Sequence, residues 1–511
     1  MQTHAQSFAC FGVDPPGAIS TLVRVINNTG QVIGFSGLQG FLREADGVTY
    51  TVIAVPGATQ TVPNGINNLG QIVGNFTDSA GTHTFVRNPD GSIHAFDVPG
   101  GQPYAVPYAI NDGGEIVGGL SFSEGFKRSV DGSVYSIQFP NASVTIPFGI
   151  DNRGEIVGSY QVGTAGYGAF FRSADGSTYT TIDVPEANGA SGINNQGQIV
   201  GHIGTHGFVR NADGTYVTLD CGSGTSPSAI DDRGRVAGTA GDPIPYGFVA
   251  VPSAGTRPLI DPFGGVITAS AFAGADAVAP GTFIEIYGAN LAASTREWGT
   301  SDFTGGVAPA SLDGVGVSVN GKPAYVSYVS PGQVNAQVPS PIEPGPAQII
   351  VTNGKQASDP YTVTVNALNP GLLAFPQSTM TAPRYIVALF PDSKTYVLPP
   401  GTGIAVPSRR ARPGDIITFY GVGFGPVTPD VPAGRIATQA NTLQAAIEVS
   451  FNGVQAIAPY AGSAPGFVGL YQLNVVVPNG VSGDAVPVKV SMNGTLSRPD
   501  GARQLIIAVE P

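Results

Sequence analysis

Charged residues are scarce in this sequence. Only 11% of its 511 residues are Asp, Glu, Lys or Arg, and the formal net charge is -12. Proteins bind the phosphate backbone of nucleic acids through clustered Lys and Arg, so this balance argues against a nucleic-acid partner. Hydrophobic residues nevertheless make up 42% of the chain. That share excludes a disordered protein, which combines low hydrophobicity with high net charge.

Cysteine is nearly absent. The chain holds Cys10 and Cys221 and no other cysteine, which excludes both a disulfide scaffold and the clustered ligands of a zinc site. Two buried thiols are the favoured interpretation, and one bridge between them is the alternative. The sequence does not decide between the two, because a bridge depends on the Cα separation.

Long apolar runs are absent as well. None is long enough to span a bilayer. Residues 1–8 also lack the positive region and the apolar region of a secretion signal. Two origins therefore stay open: an exported protein whose signal was removed or escapes recognition, and a cytoplasmic protein.

Glycine, by contrast, is abundant and regularly placed. The pattern Ile-(Asn/Asp)-x-x-Gly-x-(Ile/Val)-hydrophobic-Gly occurs six times, at residues 26–34, 66–74, 110–118, 150–158, 193–201 and 230–238. The spacing of about 40 residues lies in the range of repeat architectures. The first half of the chain is therefore an array of six similar units.

Each unit contains four short segments with strand character and no helical periodicity, which is typical of a β-propeller blade. Five units join their last two strands through Asp-Gly, a strong hairpin signal. The sixth unit stops after Ala250 without its last strand, whereas residues 7–18 are similar to the end of the first unit. We therefore predict that residues 1–256 form a six-bladed propeller closed by the N-terminal strand.

A second pattern replaces the repeat after a Pro/Gly linker at residues 251–265. Two stretches of about 100 residues share landmarks, including Gln333-Val334-Asn335 in the first and Gln472-Leu473-Asn474 in the second. Their short alternating strands and Asn-Gly turns predict two immunoglobulin-like β-sandwiches, at residues 265–375 and 376–511. Residues 385–398 are expected to form an inserted hairpin. The predicted fold class is all-β.

These motifs carry resemblances to known families. The repeat core, with its downstream Phe-x-Arg and Asp-Gly, resembles the HAF-type extracellular repeats of bacteria. Residues 330–339 and 466–474 resemble the uncharacterised C-terminal domain common in secreted acidobacterial proteins, and each half of that region resembles a TIG/IPT-type sandwich. The resemblances imply an extracellular or cell-surface setting and no particular chemistry.

Two repeated features are candidates for binding, each with a structural alternative. The recurring Arg43, Arg87, Arg128, Arg172 and Arg210 could bind anionic glycans through bidentate contacts. A residue present in every unit more often braces that unit, so the structural role is favoured. The Asn/Asp turns could hold Ca²⁺, but hydrogen bonds to the local backbone are the favoured interpretation.

The remaining candidates are single residues or short clusters. His202 and His206 flank a tight turn without a third metal ligand nearby in sequence. Trp298 could stack on a sugar, although a partly buried loop anchor is favoured. A short cluster is expected to form a solvated basic patch, and it consists of Arg409, Arg410 and Arg412.

No catalytic signature is present. Gly-x-Ser-x-Gly and His-Glu-x-x-His are absent, and residues 173–179 match the Asp-box of sialidases only in part. We therefore predict no catalytic residue, metal or cofactor, and leave the ligand-binding residues unassigned. The sequence favours a secreted or cell-surface, monomeric, non-enzymatic binding or adhesion protein that recognises carbohydrate or a protein through propeller loops. The alternatives are an extracellular polysaccharide hydrolase or lyase with carboxylates at the propeller mouth, and a structural spacer.

Overall fold

The computed structural model describes residues 7–47, 49–99, 105–253, 257–262, 264–269, 277–375, 383–496 and 504–510. The chain divides into two compact units, Met1–Gly255 and Thr256–Pro511. Residues 1–6 of the N-terminal stretch lie outside the described residues. So do residues 254–256 and 263 of the predicted linker, and residue 376 at the predicted boundary between the sandwiches. The described structure is all-β except for one 3-10 turn at Thr300–Asp302.

The described part of the first unit contains six four-stranded antiparallel sheets, the blades of a β-propeller. Blades one to five use consecutive strands β2–β5, β6–β9, β10–β13, β14–β17 and β18–β21, and blade six uses β22–β24 with β1. The strands are β1 (Ser7–Gly12), β2 (Leu22–Ile26), β3 (Val32–Ser36), β4 (Gln39–Arg43), β5 (Tyr50–Ile53), β6 (Gln60–Ile66), β7 (Ile72–Asp78), β8 (Gly81–Arg87), β9 (Ile93–Phe96), β10 (Val106–Ile110), β11 (Ile116–Gly119), β12 (Gly125–Arg128), β13 (Val134–Ile137), β14 (Val144–Ile150), β15 (Ile156–Gln161), β16 (Gly168–Arg172), β17 (Tyr179–Thr181), β18 (Ala187–Ile193), β19 (Ile199–Ile203), β20 (His206–Arg210), β21 (Tyr216–Leu219), β22 (Ser226–Ile230), β23 (Val236–Ala240) and β24 (Tyr246–Ser253).

The N-terminal strand closes the ring, as predicted. β1 pairs antiparallel with β24 from Ser7 opposite Ser253 to Gly12 opposite Phe248. The first strands of neighbouring blades contact each other, including β22 with β2, so these six inner strands surround the axis. The predicted end of the sixth unit at Ala250 was wrong. β24 continues to Ser253, because β1 offers hydrogen-bond partners to residues that were assigned to the linker.

A disulfide joins Cys10 to Cys221, so the favoured expectation of two thiols was wrong. Their Cα atoms are 5.7 Å apart although 211 residues separate them in sequence, and this distance suits a bridge. Cys10 lies on β1, and Cys221 follows the last strand of blade five. Ring closure brings these two segments together, which is why the sequence by itself did not predict the bridge.

Glycines at the end of each repeat make room for the blade core. In the second blade, a Cβ on Gly74 would lie 2.1 Å from the carbonyl oxygen of Val62 and 2.9 Å from the ring of Phe85. Only glycine fits such an approach of two backbones and a ring. The fully buried phenylalanines of the six blades are Phe41, Phe85, Phe126, Phe170, Phe208 and Phe248. The earlier glycine of each repeat, such as Gly70 at φ +78°, turns the chain.

The second unit contains two β-sandwiches. In the first, one sheet has the order β25-β28-β34-β33-β29 with β26 beside β28. The other has the order β27-β37-β35-β31-β30, with β32 beside β31 and β36 beside β35. The strands are β25 (Leu259–Ile260), β26 (Val266–Thr268), β27 (Ala277–Val278), β28 (Phe283–Ala289), β29 (Arg296–Glu297), β30 (Ser311–Leu312), β31 (Val315–Val319), β32 (Lys322–Pro323), β33 (Tyr325–Val329), β34 (Gln333–Gln337), β35 (Gly345–Asn353), β36 (Gln356–Ala357) and β37 (Tyr361–Val365). Since β25 pairs with β28, the end of the predicted linker also belongs to a sheet.

The second sandwich repeats this plan. One sheet has the order β42-β41-β40-β43-β49-β48 with β38 beside β43. The other has the order β39-β52-β50-β46-β47 with β51 beside β50, and β44 pairs separately with β45. The strands are β38 (Gly371–Leu372), β39 (Arg384–Tyr385), β40 (Ala388–Leu389), β41 (Tyr396–Val397), β42 (Ser408–Arg409), β43 (Ile416–Val422), β44 (Val427–Thr428), β45 (Thr442–Leu443), β46 (Ile447–Phe451), β47 (Val454–Ala456), β48 (Tyr460–Ser463), β49 (Tyr471–Val476), β50 (Gly483–Met492), β51 (Thr495–Leu496) and β52 (Leu505–Val509). The predicted hairpin is present as β40 and β41.

Each sandwich has its own apolar core of alternating inward residues. Gln337 of the first sandwich connects the two. Its amide nitrogen donates to the Gly281 carbonyl at 2.8 Å, and its oxygen accepts from the Gly434 N–H of the second sandwich at 2.6 Å.

Candidate functional site

The repeated Asn/Asp turns lie where the inner strands end, around the propeller axis. In the second blade, Oδ1 of Asn67 accepts hydrogen bonds from the N–H groups of Leu69 and Gln71 at 3.1 and 2.9 Å. Its Nδ2 donates to Gln71 Oε1 at 2.9 Å and to the Asn111 carbonyl of the next blade at 3.1 Å. One side chain thus holds its own turn and links two blades.

Two of the six turns carry Asp in place of this Asn, and an Arg accompanies each. Arg153 Nε donates to Asp151 at 2.8 Å, and Arg235 Nε donates to Asp231 at 2.5 Å. In the other four turns, the Asn amide donates to Gln or Glu four residues later, at Gln31, Gln71, Glu115 and Gln198. An amide needs an acceptor and a carboxylate needs a donor. In the sixth turn Arg235 takes the place of the Gln or Glu, whereas in the fourth turn the donor is Arg153, two residues after Asp151. Burial raises the pKa of Asp231, and Arg235 opposes that rise.

The next residue of each turn forms a closed circle of hydrogen bonds. The backbone N–H of each donates to the side-chain oxygen of its neighbour at 2.7–2.9 Å. In order around the axis, the circle is Asn28, Asn68, Asp112, Asn152, Asn195 and Asp232. We call it the Asx circle. Asp112 and Asp232 lie three blades apart, and each carboxylate also accepts from the amides on both sides.

The cavity beside the Asx circle is small, about 90 Å³, and all six blades line it. Its side-chain oxygens accept hydrogen bonds from backbone and amide N–H groups, which confirms the interpretation of these turns as backbone-bonding. Nowhere in the described ranges do three or more His, Cys, Asp or Glu cluster so that they could hold a metal ion.

The first strand of every blade contains a β-bulge at the same position before its turn. The pairing of first and second strands skips one residue in each blade, three positions before the first Asn/Asp of the turn. The six bulged residues are of five types: Arg24, Asn64, Tyr108, Phe148, Ser191 and Ser228. Proline precedes four of them, and it suits a bulge because it has no N–H for the ladder. Bulges redirect side chains and often occur beside functional sites.

All six bulged residues line one cavity of about 380 Å³ on the axis, together with Ser159, Asn188, His202 and Ser226 among others. We call it the bulge cavity. Its bulged residues lie four positions before the Asx circle, or roughly 13 Å along the strands at about 3.3 Å per residue. Its volume falls within the range of about 300–1,000 Å³ that is usual for ligand pockets.

Many polar groups in the bulge cavity have no protein partner. Within the described residues, no hydrogen bond engages the Tyr108 hydroxyl, the hydroxyls of Ser159 and Ser191, or the Asn188 amide. Two other lining residues are engaged: Asn64 donates to Asn75 at 3.0 Å, and Ser228 donates to the Val23 carbonyl at 3.1 Å. Unengaged groups that converge on a cavity can bind a polar ligand.

Arg24 supplies the positive charge of this cavity. Its guanidinium lies 5.2 Å from the centroid of the Phe35 ring. The Arg24 side chain is in contact with solvent, but the surrounding protein desolvates its guanidinium and lowers its pKa. Desolvation likewise raises the pKa of Tyr108. Burial lowers the pKa of His202, so that imidazole is neutral near pH 7.

Four of the five repeated arginines contact groups of their own blades, as favoured. Arg43 Nε donates to the Gly47 carbonyl of its Asp-Gly turn at 2.8 Å, and Arg172 Nε donates to the Tyr179 hydroxyl at 3.0 Å. Arg87 and Arg210 contact the carbonyl groups of the residues that follow them. Arg128 lies over Phe96 of the preceding blade, 4.8 Å from the ring centroid. None of the five lines the bulge cavity.

The two histidines do not share a site. His202 lines the bulge cavity, whereas His206 Nδ1 lies 2.5 Å from Asp220 Oδ1 in an exposed pair. Asp175, in the stretch compared with the Asp-box, is part of a hairpin turn. Hydrogen bonds from the Ser173 hydroxyl and from Ser177 lower the pKa of Asp175 to about 2.

Trp298 is a partly buried anchor, as favoured. Its ring centroid lies 5.1 Å from that of Phe303 and 6.0 Å from that of Phe283. The ring borders a groove of about 830 Å³ in the second unit that Phe467 also lines.

The arginines of residues 409–412 are solvated, as expected, but each is paired with an acid, so the expectation of a basic patch was wrong. Arg409 pairs with Asp415 at 3.1 Å, and Arg410 pairs with Asp484 at 2.5 Å. Arg412 pairs with Glu510 at 2.6 Å. The acidic partners of Arg410 and Arg412 lie 74 and 98 residues later in sequence, so the fold neutralises a cluster that looks free in the sequence.

The bulged residues were missed at the level of sequence, although a signal for them exists. When the six units are aligned on their Ile, the residue two places earlier varies from Arg to Tyr, Phe, Asn and Ser. A preceding Pro63, Pro107, Pro147 or Pro227 marks the place in four units. The positions that repeat carry the periodic signal, and this variable position does not contribute to it.

Comparison with known proteins adds one family. Residues 276–365 match the IPT/TIG domain. This match lies in the first sandwich and confirms the TIG/IPT resemblance for that part of the chain. No curated protein is similar enough in sequence to count as a match.

Among solved structures, virginiamycin B lyase from Staphylococcus aureus is 14% identical, with a TM-score of 0.31, covering 48% of this chain and 89% of its own. TolB from Acinetobacter baumannii is 12% identical, with a TM-score of 0.32, covering 39% of this chain and 54% of its own. A nidogen/laminin complex is 13% identical, with a TM-score of 0.31, covering 43% of this chain and 85% of its own. Likenesses of this strength say nothing about what the chain binds. Across the described ranges, no helix has the length and apolar character needed to cross a membrane.

Proposed function

We propose that this protein is a secreted or cell-surface, non-enzymatic binding protein that recognises carbohydrate or a protein partner through its propeller. The observation that carries the proposal is the bulge cavity. Six equivalent positions hold five types of side chain around one axial cavity of about 380 Å³, whose lining includes unengaged polar groups. A purely structural spacer would have no need of such variation.

The cellular setting is also part of the proposal. The Cys10–Cys221 disulfide suits an oxidising compartment, because cytosolic thiols are kept reduced. The resemblances to HAF-type repeats and to the C-terminal domain of secreted acidobacterial proteins agree with that setting. The sandwiches would then serve as a stalk or an anchor.

Hydrolysis of a polysaccharide has less support. A glycosidase needs two carboxyl groups beside the scissile bond. The described residues that line the bulge cavity include no Asp or Glu. Asp112 and Asp232, at the other cavity, each accept hydrogen bonds from two amides and one backbone N–H. The geometry therefore favours binding over hydrolysis.

A glycan array and a pull-down from cell-envelope material test the proposal with the full chain. We expect binding that falls at least tenfold when Tyr108→Leu and Phe148→Leu are combined. Tyr135→Leu, on an exposed outer strand, is the matched control and should bind as the original protein does. Absence of binding to any glycan or envelope fraction would refute the proposal. Binding that is unchanged in the double variant would show that the bulge cavity is not the binding site.

A further inference from the structure

Arg24 is a cation without an anionic partner in the part of the chain that the structure describes. Its recorded contact is the ring of Phe35, and no carboxylate is among the residues that line the bulge cavity. By contrast, Arg153 and Arg235, at the Asx circle, both contact carboxylates. In a protein of net charge -12, an unpaired guanidinium inside an axial cavity is a specific place for an anion.

Two aromatic rings lie beside this charge on the cavity wall. The ring centroids of Tyr108 and Phe148 are 5.0 Å apart, with an angle of 58° between the rings. Such a pair offers an apolar surface with a polar hydroxyl at its edge.

The rest of the wall is rich in unengaged hydroxyl and amide groups. Ser159, Ser191 and Asn188 can each donate and accept hydrogen bonds. A ligand that satisfies this wall needs one anionic group, one apolar face and several hydroxyl groups. A simple carboxylate or an aromatic acid would leave the polar wall unpaired, and an unpaired group costs affinity.

We infer that the bulge cavity binds a sugar ring that carries a carboxylate, of the uronic acid class. Arg24 pairs with the carboxylate, Tyr108 and Phe148 contact the face of the ring, and the Ser and Asn groups bind its hydroxyls. This inference rests on the proposed function and specifies its ligand.

Calorimetric titration of the full chain tests it with four probes: galacturonic acid, galactose, trigalacturonic acid and benzoate. We expect galacturonic acid to bind at least tenfold more tightly than galactose or benzoate. Arg24→Gln should weaken galacturonic acid binding by about 10- to 100-fold, the usual effect of losing a charged hydrogen bond, and should remove the preference over galactose. Tighter binding of the trisaccharide identifies a glycan as the source, and equal binding identifies a free acid.

Arg233→Gln is the matched control. Arg233 is exposed, lies in the turn of the sixth repeat and carries the same charge, so its loss should change affinity less than twofold. Arg24→Lys retains the charge without the bidentate geometry and should bind with intermediate affinity. It also tests the inference if Arg24→Gln fails to fold.

Equal affinity for galacturonic acid and galactose, or no effect of either Arg24 variant, would overturn the inference. So would tighter binding of benzoate. Glycan or envelope binding that persists in those cases would leave the proposed function standing, whereas no binding of any kind would end both.

Discussion

The first strands of all six blades contribute to both cavities on the propeller axis, but the side chains around the two cavities have different roles. Around the Asx circle, the turn residues repeat and their side chains bond to one another or to the backbone. Around the bulge cavity, the equivalent residues vary, and several polar groups have no partner within the described structure. Repetition here accompanies structural roles, and variation accompanies the capacity to bind.

The energetic contrast follows from the hydrogen bonds. A buried polar group left without a partner costs about 1–3 kcal/mol, whereas a satisfied one contributes modestly. The Asx circle avoids this cost inside the fold. Several polar groups of the bulge cavity have no protein partner within the described structure, so a ligand can bind to them without breaking hydrogen bonds of the fold.

Removal of the disulfide that closes the ring should have the largest effect on the stability of the propeller. In Cys10→Ser combined with Cys221→Ser, the free energy of unfolding of the propeller should fall by about 2–5 kcal/mol, because the bridge restricts a long loop in the unfolded chain. Scanning calorimetry with and without reductant measures this. Reductant should lower the propeller transition of the original protein and leave that of the double variant unchanged. An unshifted transition in the double variant would contradict the role of the bridge.

The blade-linking Asn that precedes the Asx circle in each turn can be changed and its loss compensated. Asn67→Asp should cost about 2–3 kcal/mol of propeller stability, because it removes two donated hydrogen bonds and places a carboxylate beside the Gln71 oxygen. Adding Gln71→Arg reproduces the Asp231–Arg235 pair and should recover most of the loss. Denaturant unfolding of the single and double variants measures both effects.

Asn188→Ala provides the comparison at the bulge cavity. Its amide has no hydrogen bond within the described structure, so stability should change by less than about 0.5 kcal/mol, as for a surface substitution.

A double variant at residues 67 and 71 that is no more stable than Asn67→Asp would contradict the expected compensation. A large loss in Asn188→Ala would contradict the contrast between the two cavities.

The smallest expected effect is a pH dependence at the bulge cavity. Burial lowers the pKa of His202 in the folded state below its ordinary 6.5. Below pH 6.5 the unfolded chain therefore binds more protons at this residue, and stability falls as the pH decreases through 6.5 towards the folded pKa. His202→Gln should reduce the loss of stability between pH 7.5 and 5.5. Identical pH profiles of the urea midpoint in both proteins would rule out this contribution.

The comparison between the cavities also shows which features are readable from sequence. The Asn67 turn, the Asp-Gly hairpins and the hairpin at β40 and β41 depend on residues within a few positions of each other, and all were predicted. The variable residue of the bulge cavity is also local and was readable from an alignment of the repeats. The sequence did not show that this residue lines a cavity, because only the closed ring places Arg24 and Phe148 together.

By itself, therefore, the sequence determined the repeated blade and its turns, since alternation of apolar residues and turn chemistry act over short distances. It also identified the strand that closes the ring, because residues 7–18 are similar to the end of the first unit. Tertiary structure alone decided the Cys10–Cys221 bridge, the ion pairs of Arg410 and Arg412, and the meeting of the six bulged residues on one axis. Each of these depends on groups that lie far apart in sequence, and only the closed ring and the packed sheets bring them together.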